Sequence, residues 1–111
     1  MSTYKPDLWE VVRISKDGEH IDKVYASWRG GYITPDEWRL SSGITQVVEN
    51  DSHYQIHNHS GSIYLCPKQA RGTTLFTQAI LEQLKEGMEE NGGWMELIGI
   101  ELLVKDDHGK S

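Results

Sequence analysis

Aromatic and arginine side chains are concentrated between positions 28 and 39, where two tryptophan-arginine pairs flank a glycine pair. Tryptophan, tyrosine and arginine dominate the energetics of binding surfaces, because each combines a large rigid area with a polar group. The glycines allow the backbone between the pairs to bend sharply. We therefore expect a groove that binds a small acidic or aromatic ligand, or a protein partner, lined by Trp28, Arg29, Tyr32, Trp38 and Arg39. The alternative is that the tryptophans fill the core of a small sheet and the arginines stack on them.

A second group of residues that could do chemistry is the histidine series His53, His57 and His59. On a regular strand their even spacing places all three on one face. Neighbouring same-face residues lie ~7 Å apart, so the His57 and His59 rings can share one metal ion, whereas His53 is too distant. A stable zinc site needs three or four ligands. The alternative function is therefore a zinc-binding protein or metal-dependent enzyme that uses His57 and His59; without further ligands they form a half-exposed strand face.

The position of the single cysteine, Cys66, relative to these histidines depends on one loop. A two-residue turn at Ser60-Gly61 places Cys66 on the histidine face, and a three-residue loop places it on the opposite face. Catalysis by a thiol needs surroundings that stabilise the thiolate, and the sequence indicates none. The serines at 41–42 and 60–62 lack the spacing of a nucleophile elbow and are assigned to turns. We therefore assign no catalytic residue.

Length and charge limit the class of protein and its partners. A chain of 111 residues is expected to form one domain. Seventeen acidic against eleven basic residues give a net charge of −6, which argues against nucleic acid and anionic membranes as partners. No apolar run approaches the roughly 18 residues of a membrane span. Because the chain has one cysteine and no charged-then-apolar leader, we expect a cytoplasmic protein.

The residues of the first third predict a β-hairpin. Two runs rich in β-branched and aromatic residues, Leu8 to Ile14 and Ile21 to Trp28, flank an Asp17-Gly18 turn. With these two turn residues, two apolar pairs and one pair of opposite charges agree on a single register. The pairs are Ile14 with Ile21, Arg13 with Asp22, and Val11 with Val24.

The middle of the chain predicts a meander of short antiparallel strands, separated by turn residues. These strands are Trp38 to Leu40, Ile44 to Glu49, His53 to His59 and Ser62 to Cys66.

The last third changes period and predicts one amphipathic helix followed by a final strand. Apolar residues at three- and four-residue spacing indicate a helix over 75–88, capped by Thr73 or Thr74 and ended at 91–93. Its predicted buried stripe contains Leu75, Phe76, Ala79, Ile80, Leu84 and Met88. The alternating run from Trp94 to Val104 predicts an apolar, centrally placed strand.

These elements predict an α+β fold, in which an antiparallel β-meander sheet carries one C-terminal helix on a face and ends in an apolar strand. Residues 1–104 form the expected domain, and 105–111 form a polar, flexible tail. A small meander often leaves a sheet edge exposed, so self-association into a homodimer is compatible with either function.

Two short runs, Trp38-Arg39-Leu40-Ser41-Ser42-Gly43-Ile44 and Ser60-Gly61-Ser62-Ile63-Tyr64, together carry a resemblance. The pattern over residues 28–66 resembles small uncharacterised bacterial proteins, including ones carried on mobile gene cassettes. The resemblance implies a bacterial, accessory role. It implies no activity and no catalytic residues, because that group has none assigned.

Overall fold

A computed structural model describes residues 2–104 and confirms the α+β fold class. The predicted tail, 105–111, lies outside the described residues. The strands are β1 (Thr3–Tyr4), β2 (Leu8–Lys16), β3 (Glu19–Trp28), β4 (Glu37–Leu40), β5 (Ile44–Glu49), β6 (His53–Asn58), β7 (Ile63–Pro67) and β8 (Trp94–Ile98). The helix α1 (Leu75–Glu90) precedes β8, and a short 3-10 helix, Ile100–Leu102, follows it.

The hairpin of β2 and β3 has the predicted register. Ile14 is opposite Ile21, Arg13 is opposite Asp22, and Val11 is opposite Val24. Asp17 and Gly18 both have positive φ, 55° and 82°, as a two-residue hairpin turn that matches the strand twist requires. Arg13 Nε donates to Asp22 Oδ1 at 2.8 Å, so the opposite charges pair directly across the ladder.

The strands divide over two sheets. Sheet I has the order β1-β7-β6-β5, and sheet II has the order β4-β3-β2-β8. All neighbours are antiparallel except β1 and β7, which are parallel. The chain therefore leaves sheet I after two residues, forms most of sheet II, returns to complete sheet I, and finishes in sheet II.

Sheet II is the middle layer of three. Because side chains alternate along a strand, Trp9 and Val11 of β2 face sheet I while Val12 faces α1. The core between the two sheets contains Trp9, Val11, Val24, Ala26, Val47, Ile56, Tyr64, Cys66 and Ile100. The smaller core under the helix contains Val12, Tyr25, Leu81 and Met95. Trp9 is fully buried, and its indole Nε1 donates to the Pro67 carbonyl at 2.6 Å, which links the two sheets.

The helix has its predicted ends but a different buried stripe. Thr74 is the N-cap, with its side chain accepting from the Thr77 backbone N–H, and the helix ends at Asn91. The residues that face sheet II are Thr77, Leu81, Leu84 and Met88. Leu75 and Phe76, predicted to be buried, are 95% and 48% exposed. The predicted stripe was wrong at Leu75, Phe76 and Ala79, which are exposed, and the helix instead buries the polar Thr77, whose hydroxyl accepts a hydrogen bond from Ser27. No helix among residues 2–104 has the length and apolar character to span a membrane.

The final strand is confirmed, but it is shorter than predicted and lies at an edge. β8 ends at Ile98 and pairs with β2 as the last strand of sheet II. After Gly99, the chain turns so that Ile100, which is 1% exposed, enters the core between the sheets. Ile100, Leu103 and Val104 therefore belong to a 3-10 helix and turn that cover this core, whereas Leu102 is exposed, and their alternation does not mark a continued strand.

Candidate functional site

A cleft lies where β1 of sheet I faces β4 of sheet II. It consists of two pockets that share Tyr4 and Arg39 in their walls. The larger pocket, of about 580 Å³, is lined by Thr3, Tyr4, Lys5, Trp28, Glu37, Trp38 and Arg39. The smaller pocket, of about 290 Å³, is lined by Ser2, Tyr4, Arg39, Leu40, Ser41, Ser42, Ser60, Ser62 and Tyr64. Both volumes are in or just below the range of about 300–1,000 Å³ that small-ligand sites occupy.

Parallel pairing positions Tyr4 in this cleft. Tyr4 of β1 is aligned with Tyr64 of β7, and the Ile63 N–H donates to the Ser2 carbonyl at 2.9 Å. The two aromatic rings are stacked with their centroids 4.8 Å apart, which is the spacing of adjacent strands. Tyr64 is 1% exposed and so provides a fixed base for Tyr4.

Trp28 closes the end of the larger pocket. Its indole Nε1 donates to the Lys5 carbonyl at 2.9 Å, and its ring meets Tyr4 edge-on with centroids 6.3 Å apart. Such edge-to-face pairs are favourable because the positive edge of one ring meets the negative face of the other. The end of β3 is thereby tied to the segment after β1.

Arg39 is the charged group shared by both pockets. Its guanidinium lies over the Tyr4 ring, 4.5 Å from the centroid. Across the part of the chain that the structure describes, no carboxylate forms an ion pair with it. Burial raises the pKa of Tyr64, and the nearby Arg39 guanidinium partly opposes that rise. Arg39 thus presents a positive charge to the cleft, and those of its five N–H donors that do not contact Tyr64 can bind a ligand.

Arg71 provides an instructive contrast. Its guanidinium also lies over an aromatic ring, 4.7 Å from the Trp9 centroid, but it donates to Glu10 Oε1 at 2.9 Å. Arg71 is therefore neutralised within the fold, whereas the equivalent stack of Arg39 on Tyr4 has no such partner among residues 2–104. The difference indicates that Arg71 stabilises the fold and that Arg39 is available for binding.

A chain of serine hydroxyls adds a further donor to the smaller pocket. The Ser42 Oγ and Ser60 Oγ atoms are 3.0 Å apart, and the Ser60 Oγ and Ser62 Oγ atoms are 3.1 Å apart. These two contacts use two of the three hydroxyl hydrogens. One hydrogen, on Ser60 or Ser62, therefore has no acceptor among the described residues. Together with Arg39, it suits the oxygen atoms of an anionic group.

The structure separates the residues predicted for the groove. Trp28, Trp38 and Arg39 border the larger pocket, whereas Arg29 and Tyr32 are exposed and lie outside both pocket linings. Tyr32 is fully exposed in the loop that joins β3 to β4.

Two carboxylates hold the backbone of this loop. Asp36 Oδ1 accepts from the Gly30 N–H at 2.7 Å, and Asp7 Oδ2 accepts from the Arg29 N–H at 2.8 Å. Glycine is needed at position 30 because a Cβ there would collide with the Thr34 carbonyl oxygen. These contacts turn the loop at Arg29 and Gly30, and the backbone amide of Arg29 is held by Asp7 while its side chain remains exposed.

The side chains of Trp38 and Arg39 lie on opposite faces of β4. The Trp38 ring stacks on Tyr25, 5.8 Å between centroids, on the side of sheet II that α1 covers. Trp38 remains 40% exposed at the sheet edge. Burial raises the pKa of Tyr25 to about 12, and its hydroxyl donates to the Thr77 carbonyl at 2.6 Å. Trp38 is therefore partly a packing residue, in agreement with the alternative reading of the tryptophans.

The histidines do not form a continuous face. His53 and His57 belong to β6, which ends at Asn58, so the spacing of a regular strand does not extend to His59. His57 Nε2 lies 3.1 Å from Gln55 Oε1, and the exposed His59 donates its backbone N–H to the Gly43 carbonyl. Within residues 2–104, no three histidine, cysteine, aspartate or glutamate side chains are grouped so that they could hold a metal ion.

Cys66 lies on the face opposite His57. The β6–β7 connection is a three-residue loop, 59–61, so Cys66 is aligned with Tyr54 and points into the core between the sheets. The thiol is fully buried, and burial raises its pKa to about 12. It is neutral at physiological pH and is a packing residue rather than a nucleophile.

Sequence reasoning missed the cleft residues outside β3 and β4. Tyr4 lies in a two-residue strand whose partner is some sixty residues distant, and no local pattern predicts that pairing. The serines at 41–42 and 60–62 were assigned to turns. One signal was present: the two runs that carry the sequence resemblance, 38–44 and 60–64, both contribute to the smaller pocket.

Comparison with known proteins adds no relative from which a role could be transferred. The chain matches no protein-family model, no curated protein and no solved structure.

Proposed function

We propose that this protein is a non-enzymatic binding protein whose cleft between β1 and β4 takes a small ligand with an anionic group and an aromatic or apolar body. The observation that carries the proposal is Arg39, a guanidinium stacked on Tyr4 in the wall of two adjoining pockets and without an ion-pair partner among residues 2–104. An arginine held in place by an aromatic ring is suited to carboxylate or phosphate recognition, because its donors form a rigid fork.

The two pockets suit the two parts of such a ligand. The smaller pocket offers Arg39 and the spare serine hydroxyl hydrogen to the oxygen atoms of the anion. The larger pocket is lined in part by the aromatic side chains of Tyr4 and Trp28, which suit an apolar body. Residues 28–66, which resemble small bacterial proteins of mobile gene cassettes, contribute to both pockets, and an accessory binding role agrees with that resemblance.

Three probes that share one ring but differ in charge test the proposal: benzoate, benzyl alcohol and benzylamine. Saturation-transfer NMR on the purified protein is expected to rank benzoate first. A charge-assisted hydrogen bond contributes about 1.5–3 kcal/mol, so Arg39→Gln is expected to weaken benzoate binding roughly 10- to 150-fold.

Arg29→Gln is the matched control, because it removes the same charge from an exposed residue outside both pocket linings. It is expected to leave benzoate binding unchanged. Equal binding of all three probes, or equal loss in the two variants, would show that the guanidinium of Arg39 does not recognise an anion and would end the proposal.

A further inference from the structure

Strand β4 is the terminal strand of sheet II and exposes two side chains of opposite charge and one aromatic side chain. Its residues Glu37, Trp38 and Arg39 are all exposed, with Trp38 40% exposed. Edge strands offer unpaired backbone groups to other strands, and an exposed aromatic residue there favours such contact. We propose that β4 pairs antiparallel with β4 of a second copy of this chain, on a two-fold axis that passes beside Trp38.

The direction of the backbone groups supports this register. The Ser41 N–H donates to the Val24 carbonyl at 2.9 Å, so the backbone of Ser41 points toward β3. Because alternate residues of an antiparallel strand point the same way, Arg39 and Glu37 also point toward β3, and Trp38 and Leu40 point toward the free edge. A two-fold axis beside Trp38 therefore lets the two Trp38 residues exchange both backbone hydrogen bonds.

The same register makes the charges complementary. When Trp38 is opposite Trp38 of the second copy, Glu37 is opposite Arg39, and Arg39 is opposite Glu37. These residues form the pairs without mutual backbone hydrogen bonds, in which side chains are closest, at about 4.5 Å between Cα atoms. Glu37 of the second copy and an anion in the cleft would therefore compete for the Arg39 guanidinium, so the pairing is tested without added ligand.

Exposed apolar side chains flank β4 and enlarge the surface that a second copy would cover. Ile33, in the loop before β4, is 90% exposed, and Leu75, at the start of α1, is 95% exposed. Thr74, beside Leu75, hydrogen-bonds the Asp36 side chain, which brings the helix start next to the loop. A contact through β4 alone would be small compared with the standard interface of about 1,600 Å², so these flanking residues would have to contribute.

Sedimentation velocity over a concentration series, without added ligand, tests the pairing. The wild-type mass is expected to rise from 12.7 kDa toward twice that value. Glu37→Arg and Arg39→Glu each place like charges opposite one another and are expected to remain monomeric. The double variant Glu37→Arg/Arg39→Glu restores opposite charges and is expected to regain the dimer.

Glu86→Arg, on the exposed side of α1, is the control for charge alone and is expected to dimerise like the wild type. Circular dichroism verifies that each variant is folded. A wild-type protein that stays monomeric at every concentration overturns the proposal. So does a dimer that survives either single variant, or a folded double variant that remains monomeric.

Discussion

Arg39 and Arg71 each stack on an aromatic ring, but only Arg71 has a carboxylate partner among residues 2–104. We therefore expect Arg71 to stabilise the fold and Arg39 to bind a ligand. Replacing each by glutamine removes the charge and keeps a polar side chain of similar reach. For Arg39→Gln the fold loses a stack at an exposed position, which is worth about 0.5–1 kcal/mol. The free energy of unfolding is therefore expected to fall by no more than about 1 kcal/mol.

For Arg71→Gln the loss includes the ion pair. The side chains of Arg71 and Glu10 are 32% and 17% exposed, so solvent screens the pair only partly and the lower part of the usual range for charged hydrogen bonds applies. Together with the lost stack on Trp9, this lowers the expected free energy of unfolding by about 2 kcal/mol. Arg71 also joins two segments, since its backbone bridges Trp9 and its guanidinium reaches the Ile98 carbonyl.

Urea unfolding followed by tryptophan fluorescence measures both losses. With an m-value of about 1.5 kcal/mol/M, the midpoint is expected to move by roughly 1.3 M for Arg71→Gln and by less than roughly 0.7 M for Arg39→Gln. If Arg39→Gln lowers the free energy of unfolding as much as Arg71→Gln, the reasoning is refuted, because Arg39 would then be a stabilising residue and not one available for ligand binding.

Three further results are expected. Hydrogen bonds from the Gly30 backbone and the Thr74 side chain lower the pKa of Asp36. The stability that Asp36 contributes is therefore present above the ordinary pKa of 3.8 and is lost as the pH falls below it. Asp36→Asn should make the free energy of unfolding less dependent on pH in this acid range, and an unchanged dependence would contradict the assignment. The Cys66 thiol should react with iodoacetamide only after unfolding, as mass spectrometry would show, and rapid labelling of the native protein would contradict its burial. Added zinc should leave the melting temperature unchanged, because the histidines of β6 and its loop do not form a closed ligand set within residues 2–104. A zinc site at a metal concentration 100 times its Kd would raise the free energy of unfolding by about 2.7 kcal/mol, and the resulting rise in melting temperature would contradict this prediction.

Local signals in the sequence predicted the elements whose structure depends on near neighbours. The Asp17-Gly18 turn fixed the register of β2 and β3 because a two-residue turn leaves one alignment, and the side-chain pairs agreed with it. The threonine cap and the glycine-rich end predicted the bounds of α1 for the same reason. The predicted stripe failed at Leu75, Phe76 and Ala79, because the face that packs on sheet II includes the polar Thr77, which is buried and hydrogen-bonded to Ser27.

The cleft depends on contacts between distant parts of the chain, and these were beyond sequence reasoning. Tyr4 reaches Arg39 only because β1 pairs with β7 and sheet I covers sheet II. Trp38 and Arg39 are neighbours in the sequence, but alternation along β4 directs their side chains to opposite faces. The face of Cys66 depended on one residue in the β6–β7 loop, which the sequence left open between two lengths.

The most direct test of the central claim is a protein-observed NMR titration of the wild-type chain with benzoate, read from the backbone amide shifts. We predict that saturable shifts are confined to residues 2–5, 28, 37–42 and 60–64, which line the two pockets, and that Arg39→Gln raises the Kd for benzoate roughly 10- to 150-fold. Saturable shifts in another part of the protein, or a benzoate affinity no higher than that of benzyl alcohol, would contradict the assignment of this cleft as an anion-binding site.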